Sequence, residues 1–176
     1  SSEDEVRKTV DELRERSERT IRDLERVDRE LKKEHEELIK ELREIVKELR
    51  EKVKRASKEP TSEREIERLK EELERTMREL HKKNKRVREK HEELLEELRR
   101  RNRKLNEEVK KTVREMRDKV DKRIEEELRK LHKENKEAVE RSERTNRDIL
   151  RRNDEADKEI EKELRELIEK LERDRK

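Results

Sequence analysis

The chain has 176 residues, 63% of them charged and 24% apolar, with no Phe, Tyr, Trp, Gly or Cys and a single Pro. Basic and acidic residues nearly cancel, 57 against 54, and the two signs interleave rather than form blocks. Such a composition excludes disulfide and thiol chemistry, the usual Gly-rich phosphate loops and aromatic base-stacking platforms.

So polar a chain is either disordered or made of long helices laced with ion pairs. Periodicity decides for helices, because apolar residues recur at helical spacing along the whole sequence. Ser2 with Glu5 reads as a capping box that opens the first helix. Its stripe runs Val6, Val10, Leu13, Ser17, Thr20, Leu24, Val27, Leu31, His35, Leu38, Leu42, Ile45, Leu49, Val53 and Ala56. The mean step of 3.57 residues lies between the values for left- and right-handed supercoils, which predicts a nearly straight helix.

"SKEPTS", residues 57–62, is the first break. Pro60 has no N–H to donate and disfavours helix at Glu59. Ser62 with Glu65 then forms a second capping box. The second stripe runs from Ile66 through Leu73, Leu80, Asn84, His91, Leu94, Leu98, Asn102 and Val109 to Met116, again at a mean step of 3.57.

Past Met116 that phase selects Val120 and then only charged residues, and the apolar set moves to Ile124, Leu128, Leu131, Asn135, Ala138, Ser142, Asn146, Ile149, Asn153, Ala156, Ile160, Leu164, Leu167 and Leu171. A one-residue slip rotates a helical face by roughly 100°. It predicts a turn in 117–121, with Asp118 or Asp121 as N-cap. The rival is one unbroken helix over 62–176. The predicted fold is therefore all-α: a single domain over 1–176, forming an elongated, nearly straight up-down-up three-helix bundle with helices at about 3–57, 62–117 and 121–175. Ile21, Ile39, Val46, Met77, Leu95, Val113, Leu150 and Ile168 flank the main stripes as bundle-edge positions.

Residues at one level of antiparallel neighbours have numbers with a constant total. A first turn between Glu59 and Pro60 gives 119, and a second between Asp118 and Lys119 gives 237. These totals gather the polar seam residues into three layers. They are Ser17/Asn102/Asn135, Val27/His91/Asn146, where Val27 falls one short of the first total, and His35/Asn84/Asn153. A buried Asn or His costs several kcal/mol when unpaired and little when its donors and acceptors are met. A polar layer fails in any wrong register, so it specifies one alignment of otherwise similar Leu/Val seams. The candidate site is thus the buried polar network of Ser17, His35, Asn84, His91, Asn102, Asn135, Asn146 and Asn153.

Other chemistry is expected to be absent. His35, His81, His91 and His132 fall at different levels, whereas metal ligands must converge, so neither a metal nor a cofactor is expected. Two flanking pairs are expected instead, His132 with Asn106 and His81 with Asp157. No Ser-His-acid spacing or cleft-forming loop points to catalysis, so the chain reads as no enzyme. Thr20, Thr76 and Thr112 read as back-bonding or network residues rather than nucleophiles. Segments 81–90 and 99–104 are basic, and 61–120 carries about +5. Without aromatics or a groove-reading motif, this reads as a bias that attracts acidic neighbours rather than nucleic acid. No apolar run approaches the ~18 residues of a membrane span, and no targeting signal is evident. Pairs such as Glu36–Lys40, Glu48–Lys52 and Glu74–Arg78 are expected to lace the surface. One narrow seam per helix predicts a monomer that requires no partner.

The seam polar set and the Glu/Lys/Arg surface resemble computationally designed helical bundles with buried hydrogen-bond networks. The resemblance spans all 176 residues as a style rather than a motif. It implies a synthetic scaffold without catalytic activity, made in a bacterial cytoplasm. The alternatives it carries are a designed oligomer, a module for a partner helix, or a switch with a long continuous second helix. Many such designs have Gly-containing loops, which this chain lacks.

Overall fold

The structure is a computed structural model that describes residues 2–116, 118 and 121–174. It contains three long helices, α1 (Ser2–Lys58), α2 (Glu63–Glu115) and α3 (Lys122–Asp174), packed as a three-helix bundle. The first break falls where Pro60 demands it. Thr61 Oγ1 donates to the carbonyls of Ala56 and Glu59 and so satisfies the frayed end of α1. The backbone N–H of Glu65 donates to Ser62 Oγ at 3.2 Å, the N-cap bond expected of that motif.

α2 and α3 are separate helices, which overturns the rival of one helix over 62–176. Asp121 is the N-cap of α3. Its Oδ1 accepts from the Ile124 N–H at 2.9 Å, and its carbonyl accepts from Glu125 N–H. A side-chain cap supplies the stop and start that Gly or Pro supplies elsewhere. Residues 117, 119 and 120, part of the expected turn, lie outside the described residues. So do the expected end of the second helix at 117 and of the third at 175, and the Ser2 side chain of the first capping box.

Tertiary contacts divide the chain into two compact units, each built from one segment of every helix. Unit 1 comprises 1–31 and 91–147; unit 2 comprises 32–90 and 148–176. Within unit 1 the core has two clusters. One packs Val6, Val10 and Leu13 with Leu105, Val109, Leu128 and Leu131. The other packs Leu24, Val27 and Leu31 with Leu95, Leu98 and Ala138. In unit 2, Leu38, Leu42, Val46, Leu49 and Val53 pack with Leu73, Leu80, Ile160, Leu164 and Leu171. Ion pairs give the directions. In unit 2, Lys52 meets Glu72 and Lys83 meets Glu41, so α1 and α2 run antiparallel. Arg88 meets Asp154 and Lys70 meets Glu172, so α2 and α3 do too. In unit 1, Arg16–Glu108 with Arg101–Asp23, and Arg99–Glu143 with the His91–Asn146 hydrogen bond, say the same.

Two seam positions shift by one residue from the expected stripe. Val46 (1% exposed) and Leu95 (3% exposed) are the buried residues, while Ile45 and Leu94 are half-buried. The reason is angular. After Leu42 or His91, a four-residue step lands roughly 40° off the inward direction and a three-residue step roughly 60°. The expected surface pairs Glu36–Lys40, Glu48–Lys52 and Glu74–Arg78 also give way, with Lys52 reaching across to Glu72 instead. Long cationic side chains at the bundle edge can span to a neighbouring helix.

Candidate functional site

All eight residues of the expected network are buried, each at 5% exposure or less. Helical spacing puts them there, because each replaces a Leu or Val of the seam and inherits its inward direction. In unit 1, Ser17 Oγ donates to Asn135 Oδ1 at 2.8 Å, joining α1 to α3. Asn102, at the same level on α2, turns along its own helix, and its Oδ1 accepts from Asn106 Nδ2 at 3.2 Å. The Nδ2 groups of Asn102 and Asn135 have no hydrogen-bond partner among the described residues.

The second layer of unit 1 is larger than the sequence suggested. His91 Nε2 lies 2.5 Å from Asn146 Oδ1. Asn146 Nδ2 donates to the Ser142 carbonyl at 2.7 Å and to Asp28 Oδ1 at 3.2 Å. Ser142 Oγ donates to the same carboxylate oxygen at 3.1 Å. These acceptors fix the orientation of the Asn146 amide, since a reversed amide would aim its oxygen at two other oxygens. Asn146 Oδ1 therefore faces His91, and His91 must carry its proton on Nε2. One hydrogen-bonded chain thus crosses all three helices.

Asp28 was missed because Val27 at the neighbouring position fills the apolar seam. A signal existed: Asp28, rather than Val27, stands at the total of 119 with His91. Ser142 stood on the stripe but was not assigned to the network. Burial pushes the Asp28 carboxyl above the ordinary carboxylate range. The hydrogen bonds from Ser142 and Asn146 and the electrostatic pull of His91 and Arg99 act the other way.

In unit 2, Asn153 Nδ2 donates to His35 Nδ1 at 3.0 Å. His35 in this arrangement is an acceptor at Nδ1. Asn84 is buried at the same level, and the amide oxygens of Asn84 and Asn153 have no partner among the described residues. Protonating His35 at Nδ1 would set donor against donor unless the Asn153 amide turned over to present its oxygen. His91 differs, because its Nε2 already donates.

Of the flanking pairs, His81 meets Asp157, with Nδ1 3.3 Å from the carboxylate. His132 and Asn106 do not bond: His132 Nδ1 has no partner, and Asn106 serves Asn102. Thr20 and Thr112 donate to the carbonyls four residues earlier, as expected of helical threonines. Among the described residues no group of three or more His, Cys, Asp or Glu is placed to hold a metal ion. Among the same residues no helix is long and apolar enough to cross a membrane. Chemically, the layers can hold helices in one alignment, and they place one half-buried carboxyl, Asp28, where burial favours its protonated form.

A family model described as apolipophorin-III precursor (apoLp-III) matches residues 3–149. The chain belongs to the apolipophorin-III family. The span by which this family member matches takes in α1, α2 and α3 as far as Ile149. Its structure is similar to one described as "Computationally designed three helix bundle", with a TM-score of 0.59 and 18% identity over 98% of this chain and 90% of that one. At that identity the likeness shows the fold alone. Among curated proteins nothing matches significantly.

The pH behaviour of the Asp28 layer follows from its direction of shift. A raised carboxyl holds its proton more tightly in the folded chain than in the unfolded one. Stability contributed by this group is then present at low pH and falls as pH rises from the ordinary carboxylate value of about 4 through the raised one. Asp28→Asn keeps the acceptor for Ser142 and Asn146 and removes the buried charge. Its unfolding free energy should exceed the parent's at neutral pH, by less than about 1 kcal/mol because solvent screens a half-buried group. The advantage should vanish by about pH 3, below the ordinary carboxylate value. Urea titrations of both proteins at the two pH values check this.

Proposed function

We propose that the chain is a structural scaffold of the designed-bundle kind, monomeric and without catalytic activity, whose polar layers specify the register of its three helices. One observation supports this above others. In unit 1, Ser17–Asn135 and Asp28–Asn146 are each separated by 118 residues. In unit 2, His35–Asn153 has that same separation. Leu/Val seams repeat and tolerate sliding by a turn or two, whereas hydrogen-bonding groups meet at one offset only. The narrow seam favours a monomer, because among the described residues no large hydrophobic side chain is exposed for a second copy to cover.

The test is a variant with all eight layer residues replaced by Leu. Such a chain gains apolar burial and loses the registry device. It should melt no lower than the parent yet scatter light as a mixture of masses, while the parent holds a single mass near 22.0 kDa. A variant with one mass and one cooperative transition would refute the registry role. A parent that is a stable dimer or trimer would refute the monomer.

The family match favours a second reading, in which the helices part and lay their apolar stripes on a lipid surface. The stripes here are narrow and broken by Asn, His and Ser, each of which would enter the apolar phase unpaired. Clearance of anionic lipid vesicles, with a change in helix exposure, would support this reading over the scaffold.

A further inference from the structure

α2 carries an uninterrupted ladder of like charge. Arg78, Lys82, Arg86 and Lys90 follow one another at four-residue steps, and all are exposed. Over 75–90 there are eight Lys or Arg against two Glu. The cations at the edge of the helix are engaged: Lys83 pairs with Glu41 and Arg88 with Asp154. The four ladder residues have no hydrogen bond or ion pair among the described residues. Like charges at i,i+4 oppose helix formation, so the ladder works against the helix that carries it. Elsewhere runs of cations at this spacing are shorter, at most the three of Arg50, Lys54 and Lys58, and several four-residue steps pair opposite signs, as in Arg165–Glu161 and Arg129–Glu125.

We infer that this ladder is a docking strip for the phosphate backbone of a nucleic-acid duplex. The composition argued against such a partner; the unpartnered ladder is what the structure adds. Three observations select the occupant. The ladder spans about 18 Å at 1.5 Å rise per residue, so several cations can reach phosphates at once. No large exposed hydrophobic side chain is described, so a protein partner would find no apolar patch to bury at its centre. No aromatic residue occurs in the chain, so single-stranded bases would find nothing to stack on. What is left is sequence-independent contact with a dense line of phosphates, which binds through counterion release. This inference does not depend on the register role of the layers.

The test is fluorescence anisotropy of a labelled DNA duplex of about 20 base pairs, titrated with the full chain from about 20 to 200 mM salt. Four phosphate contacts predict a slope of about −3 to −4 in log K against log salt, at roughly 0.9 per contact. Replacing the ladder with Arg78→Gln, Lys82→Gln, Arg86→Gln and Lys90→Gln should weaken binding at least about tenfold and flatten that slope. A control with equal net charge, Lys133→Gln, Lys136→Gln, Lys158→Gln and Lys162→Gln, should keep both. Circular dichroism verifies that each variant folds. The inference is overturned if the parent does not bind, if the control loses as much as the ladder variant, or if polyglutamate displaces the duplex at equal charge concentration.

Discussion

Asn146→Ala is expected to lower the unfolding free energy by about 3–5 kcal/mol, because it strips hydrogen-bond partners from several buried groups at once. The Asn146 amide takes the proton of His91 on its oxygen and gives its own to Asp28 and the Ser142 carbonyl. His91 is 0% exposed, so its ring N–H has no water to turn to. Asp28 keeps Ser142 but loses its second donor while remaining half-buried and charged. Each group left short costs about 1–3 kcal/mol, with the carboxylate at the upper end. Asn84→Leu is the internal comparison. The Asn84 amide oxygen has no partner to lose among the described residues, and the leucine adds apolar burial. It should fall within about 1 kcal/mol of the parent. Urea midpoints at neutral pH decide between the two. A loss below about 1 kcal/mol for Asn146→Ala would mean that the layer is wet or open.

Leu73→Ala should cost a comparable amount, about 3–5 kcal/mol, by opening a cavity in unit 2. Leu73 and Leu164 are both 0% exposed and belong to the same cluster. That core is only as wide as three helical stripes, and it contains no aromatic ring that could swing into the space. Leu164→Ala should behave alike, and the double replacement should cost less than the two losses added, because both enlarge one cavity. The urea slope should stay constant while the midpoint falls. Ile39→Ala, at a half-buried edge position, should cost less than half as much.

The helices and levels were legible because each depends on a count. Helical spacing places Val10, Leu73 and Leu164 on inward faces whatever their neighbours do. Antiparallel pairing converts residue numbers directly into levels, which puts Ser17 opposite Asn135 and His35 opposite Asn153. Counting fails where a choice depends on side-chain reach. Asp28 sits one position off the apolar seam, and only the length and direction of its side chain bring it to Asn146. Asn102 could turn across the bundle or along its helix, and its bond to Asn106 is a local i,i+4 option that no level rule foresees. The choices of Val46 over Ile45 and Leu95 over Leu94 hang on a difference of roughly 20° between steps of three and four residues. For α3, Asp118 and Asp121 offered equal capping chemistry, and the bond to Ile124 N–H selects Asp121. Surface pairs were the least legible, because long charged side chains have several partners within reach and little energy separates them.

The most direct test of a built polar layer is the protonation pattern of the His91 ring. Asn146 is locked by Asp28 and the Ser142 carbonyl, so its oxygen faces Nε2 and accepts a proton from it. Long-range nitrogen–proton NMR correlations of the imidazole report the tautomer at neutral pH. A single tautomer with its proton on Nε2 is the predicted result, with that proton exchanging slowly enough with water to be observed and disappearing in Asn146→Ala. A rapidly averaging pair of tautomers, or a ring protonated on Nδ1 alone, would contradict the hydrogen-bonded layer and, with it, the claim that these side chains set the register of the helices.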